Sequence, residues 1–135
     1  MNTKFRVLWM VLALGILAGS MTLFAHHGNA IYDETKAVTV NGTVTEWLWA
    51  NPHCLLQFDA KDDKENTVHW TAEVSNPPDM INRGWSKKMF KPGDEATITM
   101  IVAKSGEPIG RIARITLNGK TYEGNARVPG ENTKK

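Results

Sequence analysis

Apolar and polar residues alternate with a period of two in five segments of this chain, the signature of half-buried β-strands. The longest covers residues 37–49, with Val38, Val40, Val44 and Leu48 on one side. Gly42 interrupts it, and a glycine inside a strand marks a bulge or a sharp bend. A second segment, 53–60, turns Cys54, Leu56 and Phe58 the same way, and a third, 67–74, alternates Val68, Trp70, Ala72 and Val74. The charged stretch 61–66 between them predicts a hairpin. The pattern then changes: Ser75-Asn76-Pro77-Pro78-Asp79 offers a cap followed by proline in a first helical turn. That short helix is expected to run through Arg83 and stop at Gly84, with a further turn from Ser86 to Phe90. Lys91-Pro92-Gly93-Asp94 is a turn. Beyond it 95–102 alternates again, with Ala96, Ile98, Met100 and Val102 inward. A fifth strand, 111–117, ends at Asn118-Gly119, a two-residue hairpin turn.

Five strands, a long bent first one and a helix between the third and fourth predict an all-β domain. The order fits a five-stranded OB-like Greek-key barrel over residues 37–124, and closure would remove the exposed edges of an open sheet. A polar arm, 26–36, is expected to lead in, and a flexible tail, 125–135, to follow.

The first 25 residues obey a different rule. Lys4 and Arg6 precede an almost purely apolar run at 7–18, and small residues come next. These are the parts of a secretory signal, which predicts a periplasmic or secreted protein. An uncleaved anchor is the competing reading, and Gly15, Gly19, Ser20 and Thr22 argue against it by diluting the second half. Two cleavage points compete, after Ala25 and after Ser20. The first leaves His26 at the mature N-terminus. Neither offers a cysteine for lipid attachment, since the only cysteine is Cys54.

Removing the signal changes the charge picture. Sixteen Lys and Arg against fourteen Asp and Glu give the chain a net charge of +2. Lys4 and Arg6 leave with the signal, so the mature domain is formally neutral. It has no electrostatic footprint for nucleic acid, and no stable membrane insertion is expected after cleavage. A single cysteine makes no internal disulfide, so stability must come from a packed core.

Several short motifs recur in a familiar order. They are His26-His27 after the signal, Gly42-Thr43-Val44 in the first strand, Asn51-Pro52-His53 before the second, Arg83-Gly84-Trp85, and Lys91-Pro92-Gly93-Asp94. Together they resemble domain-of-unknown-function family 6152, small exported bacterial proteins, from His26 to about Leu117. The resemblance implies an OB-like fold and export, and no activity. Cys54 departs from the pattern, where a plain apolar residue is expected; a buried thiol fills the same space.

Candidate chemistry rests on four histidines: His26, His27, His53 and His69. By strand parity His53 shares a face with Leu55, Gln57 and Asp59, and His69 with Thr71 and Glu73. Both faces lie opposite the apolar ones, so both imidazoles are predicted to point to solvent. A symmetric hairpin groups His53, Gln57, His69 and Glu73; a slip of two residues keeps the facing and changes the pairs. The functional reading is a metal site. A mature N-terminal His26 offers its imidazole and α-amino group, and His53 or His69 adds a third nitrogen, a set suited to Cu(II). The arm of about ten residues reaches at most ~33 Å. The competing reading makes His26-His27 a polar terminus and His53 a turn cap; no H-x-H or H-x-x-x-H pair favours a metal.

Trp47 and Trp49 form a second constellation. Simple parity turns them outward, where they could stack a flat ligand or meet a protein partner. A bulge at Gly42 would reverse that parity and pack them against the helix or the arm. Trp70 reads as core, and Trp85 as a plug at one end. No catalytic residue is predicted: Cys54 and His53 face opposite ways, and no phosphate loop or nucleophile elbow occurs. The leading expectation is a non-enzymatic exported binding module, with copper its candidate ligand. The alternative is an accessory interaction subunit that binds no metal, and a small metalloenzyme trails both.

Overall fold

A computed structural model describes Asn2 and residues 30–131, and those from Ile31 onward belong to one compact unit. The segment read as a signal, with His26 and His27, lies outside the described residues. Among the described residues six strands and one short helix occur in order: β1 (Tyr32–Leu48), β2 (Cys54–Lys61), β3 (Thr67–Val74), α1 (Pro77–Asn82), β4 (Glu95–Ala103), β5 (Ile109–Leu117) and β6 (Lys120–Glu123). The domain is mostly β, in one sheet of order β3-β2-β1-β4-β5-β6.

β1 begins at Tyr32, five residues earlier than the alternation predicted. Asp33-Glu34-Thr35-Lys36 looks like a polar arm and has no partner in the β1–β4 register; the strand reaches back past it through Tyr32. Tyr32 pairs with Ala103 and is 2% exposed, and the register shifts between it and Ala37, where the polar residues sit. Seventeen residues allow β1 to serve two neighbours. Its first part pairs with β4 and its last part with β2, and Gly42 and Thr43 pair with both. Gly42 is needed because of what lies beside it: a Cβ there would come 2.5 Å from Cδ2 of Phe58.

The predicted hairpin of β2 and β3 forms with a register two residues away from the symmetric one, pairing Asp59 with His69, Gln57 with Thr71 and Leu55 with Glu73. The expected faces survive, because a slip of two preserves side-chain parity. α1 starts as its sequence dictates. The Asn76 side chain accepts from the Asp79 N–H at 3.0 Å, prolines fill the first turn, and Gly84 comes after the helix at φ 84°.

Two features exceed the expected five strands. Asn118 (φ 52°) and Gly119 (φ 78°) both have positive φ, as a type I′ turn requires. That turn folds the chain back into β6 instead of closing the domain. Beyond β6 the chain is tied down as far as Glu131. Gly124 N–H donates to the Ala113 carbonyl, Asn125 and Ala126 to that of Ile112, and Glu131 pairs with Arg114 at 2.9 Å. Polar composition predicted a loose tail; backbone donors and one ion pair hold this stretch.

Pairing does not end at the sheet's nominal edge. β3 also pairs in parallel with β5, Thr71 with Ile109, Ala72 with Gly110 and Glu73 with Arg111. The sequence of pairings β1–β2–β3–β5–β4–β1 therefore returns to its start. The core lies on the inner faces: Val44, Leu56, Phe58, Val74, Ile98, Met100, Ile112 and Ile115, with Met80 from α1 and Trp85 just beyond it.

Candidate functional site

The β3–β5 seam gathers the most concentrated chemistry among the described residues. Parity along β3 turns Ala72 and Val74 into the core and leaves Glu73 on the other face. Parallel pairing sets Arg111 of β5 beside it. The guanidinium donates to Glu73 Oε1 from Nε at 2.8 Å and from Nη2 at 2.6 Å. His53, the residue before β2, places Nδ1 2.9 Å from Glu73 Oε2. Tyr32, at the start of β1, lies under Arg111, whose guanidinium carbon is 4.6 Å from the ring centroid.

Burial is graded across this cluster. Tyr32 is 2% exposed, the Arg111 and Glu73 side chains are 13% and 17% exposed, and that of His53 is 47% exposed. Each outer group thus rests on a more enclosed one, and the imidazole is the part that meets solvent. The Tyr32 hydroxyl is pushed well above the ordinary phenol range, first by burial, then by the charge of Glu73 and a hydrogen bond to it; Arg111 opposes the shift. Tyr32 therefore stays neutral. Glu73 receives donors from β5 and from the loop before β2.

His69 stands apart. Its Nδ1 lies 2.6 Å from Asp59 Oδ1, and its side chain is 80% exposed. Four residues separate it from Glu73 along β3, a rise of roughly 13 Å. His53 and His69 both face outward, as parity predicted, and His53 meets Glu73 as the symmetric hairpin grouped them; the two-residue slip sets His69 opposite Asp59, and the two imidazoles do not share a site. No group of three or more His, Cys, Asp or Glu among the described residues is placed to hold a metal ion. His26 and His27 lie outside those residues.

The tryptophan pair departs from simple parity. Thr45 is an extra residue between Val44 and Glu46 in the β1–β2 register, and this bulge reverses the facing of the rest of β1. The sequence located such a reversal at Gly42; it occurs three residues later. Trp47 consequently packs on Trp49, Trp85 and Phe90, with ring centroids 5.6, 5.9 and 5.1 Å away. Its Nε1–H donates to the Ser86 carbonyl at 3.1 Å. Trp85 is buried and donates to the Glu123 carbonyl at 2.8 Å, fastening the segment after α1 to β6. Trp47 and Trp49 thus pack against the core as partly buried residues, which is the packed arrangement that a parity reversal predicts and not the exposed stacking pair of simple parity. Trp70, read as core, is half-buried and stacks on Phe58 at 6.2 Å.

Cys54 is fully buried, and burial pushes its thiol up. A protonated, enclosed thiol is a poor nucleophile and a poor ligand. Sequence reasoning missed Tyr32 and Arg111 as site residues, because they join His53 only through pairings between distant segments. A faint signal for Arg111 existed: it is an arginine within a strand that is otherwise largely apolar.

The model of a family of unknown function, DUF6152, matches residues 13–112. The chain belongs to that family. In this DUF6152 chain the matched region contains Tyr32, His53, Glu73 and Arg111, and it stops one residue after the last of them. β6 and the stretch after it fall outside the match. No curated protein and no solved structure matches the chain. Among the described residues no helix is long and apolar enough to cross a membrane.

Proposed function

We propose that this protein is a small exported binding module on an OB-like barrel, and that it takes a transition metal, copper foremost, through His53 together with His26 and His27. The observation that carries the reading is a half-exposed imidazole with one ring nitrogen already engaged by Glu73. The other ring nitrogen is left to a ligand. The donor chemistry narrows the metal. Both oxygens of Glu73 are occupied, one by Arg111 and one by His53. A hard cation that needs several oxygen ligands therefore finds none to spare here. Imidazole and amine nitrogens suit Cu(II) and Zn(II). His69 drops out of the ligand set on distance.

Support for the barrel comes from the circuit of pairings, above all the parallel β3–β5 contact joining strands that the nominal order separates. Export rests on the charged start, apolar run and small-residue exit of the first 25 residues. The N-terminal histidines enter from the sequence alone, through the expected cleavage after Ala25 and the chain length of the arm.

Two measurements test this function. N-terminal sequencing of the exported protein should find His26 first; a start at Met21 removes the amino donor. Titration of the exported protein with Cu(II) and Zn(II) should show that His53→Ala weakens binding at least tenfold, while His69→Ala leaves it unchanged. An affinity indifferent to His53→Ala would discard the metal site and leave an accessory interaction module as the surviving reading.

A further inference from the structure

His53 precedes β2, so no strand pairing of its own fixes its side chain. What holds it is Glu73, and Glu73 is held unusually firmly. The Glu73 backbone pairs with Leu55 on one side and Arg111 on the other. Two guanidinium N–H groups donate to Oε1, and the Tyr32 ring supports that guanidinium, with its centroid 4.6 Å from the guanidinium carbon. Arginine keeps its charge throughout the accessible pH range, and an ionised carboxylate only accepts hydrogen bonds. A ring nitrogen 2.9 Å from Glu73 Oε2 must therefore be the donor. That places the proton on Nδ1. In a neutral imidazole the lone pair is then on Nε2.

We propose that Glu73, braced by Arg111 and Tyr32, is a positioning residue that locks His53 in the Nδ1–H tautomer and presents Nε2 as the ligand atom. The inference rests on the metal reading above and says how that site is tuned. A carboxylate behind a ligating histidine fixes the ring and raises its basicity, and loss of such a partner costs about 10–100-fold in metal affinity. Sharing the carboxylate with Arg111 has a second effect. The guanidinium neutralises Glu73, so the carboxylate orients the imidazole without adding net negative charge to the site.

Nitrogen-15 spectra of the metal-free exported protein and Cu(II) titration together test this. In wild type, His53 should be protonated on Nδ1 and bare on Nε2. Glu73→Gln should release His53 into a mixture of tautomers, leave the His69 signals in place, and weaken Cu(II) binding about 10–100-fold although every proposed ligand is still present. Tyr32→Phe keeps the ring under Arg111 and deletes only the hydroxyl, so it should cost less than about tenfold. Should Glu73→Gln fail to fold, the wild-type spectrum still decides the matter. A wild-type His53 protonated on Nε2 overturns the proposal, as does a folded Glu73→Gln that binds Cu(II) as tightly as wild type. A wild-type protein that holds no Cu(II) yet shows an Nδ1–H tautomer dependent on Glu73 sinks the metal reading and supports the positioning role.

Discussion

At the scale of single residues, three glycines show how close approach is enforced. A Cβ on Gly42 would press into the Phe58 ring and lie 3.1 Å from the Asp59 carbonyl oxygen. At Gly110 it would strike the Met100 thioether, and at Gly124 the carbonyl oxygen and carbon of Ile112. Methionine can swing away and a paired backbone cannot. Gly110→Ala should therefore be the mildest of the three. Gly42→Ala should cost about 1–3 kcal/mol, in the range of overpacked cores, and Gly124→Ala should cost more. Denaturant unfolding of the three variants checks the ranking; a Gly110→Ala protein less stable than Gly124→Ala would contradict it. The sequence marked Gly42 as special but pointed to the wrong cause, since a bulge and a close neighbour leave the same trace in one chain. Only the partner strand, with Phe58 opposite, separates them.

Among the elements, β1 carries the most consequence. Its polar residues 33–36 fall in an irregularity of the β1–β4 register, while Tyr32 before them pairs with Ala103 and residues 37–43 after them pair in step. The single extra residue at Thr45 turns Trp47 from the outer face to the aromatic cluster with Trp85 and Phe90. Thr45 is itself exposed, so Thr45→Ala should change stability by no more than about 0.5 kcal/mol. Deleting Thr45 should do far more. It would restore strict alternation and turn the Trp47 ring toward water, at a cost on the order of 3 kcal/mol, that of emptying a large aromatic site. Tryptophan fluorescence should shift to longer wavelength in the deletion and stay put in the substitution. Equal effects of the two changes would mean that the bulge does not set the facing.

For the whole molecule, the parallel β3–β5 contact matters most. It returns the line of strands to its start, and it assembles Tyr32, His53, Glu73 and Arg111 from four separate segments. Removing one member of a mostly enclosed ion pair leaves the other charge without its partner. Arg111→Met should thus cost about 3 kcal/mol. The damage should concentrate at the seam. Hydrogen exchange should rise at the Thr71 amide, which donates to the Pro108 carbonyl at 3.0 Å, while amides in the β1–β4 ladder keep their protection. Uniform loss of protection would instead make the seam no weaker than the rest of the domain.

Local chemistry determined a good part of this protein from the sequence alone. Period-two alternation located the five principal strands and the outward facing of His53, Glu73 and His69. Asn76 with two prolines began the helix and Gly84 ended it, and Asn118-Gly119 made the turn into β6. Each of these depends on neighbours within a few residues. Beyond His53 and Glu73, which hairpin symmetry already grouped, the tertiary structure decided which outward residues meet. A two-residue slip in the β2–β3 hairpin set His69 opposite Asp59 instead of Gln57, and a pairing across 38 positions brought Arg111 to Glu73. Register between strands is fixed by the summed fit of two whole faces, and contact between distant segments by how the sheet curves back on itself. Neither quantity resides in any short stretch of chain.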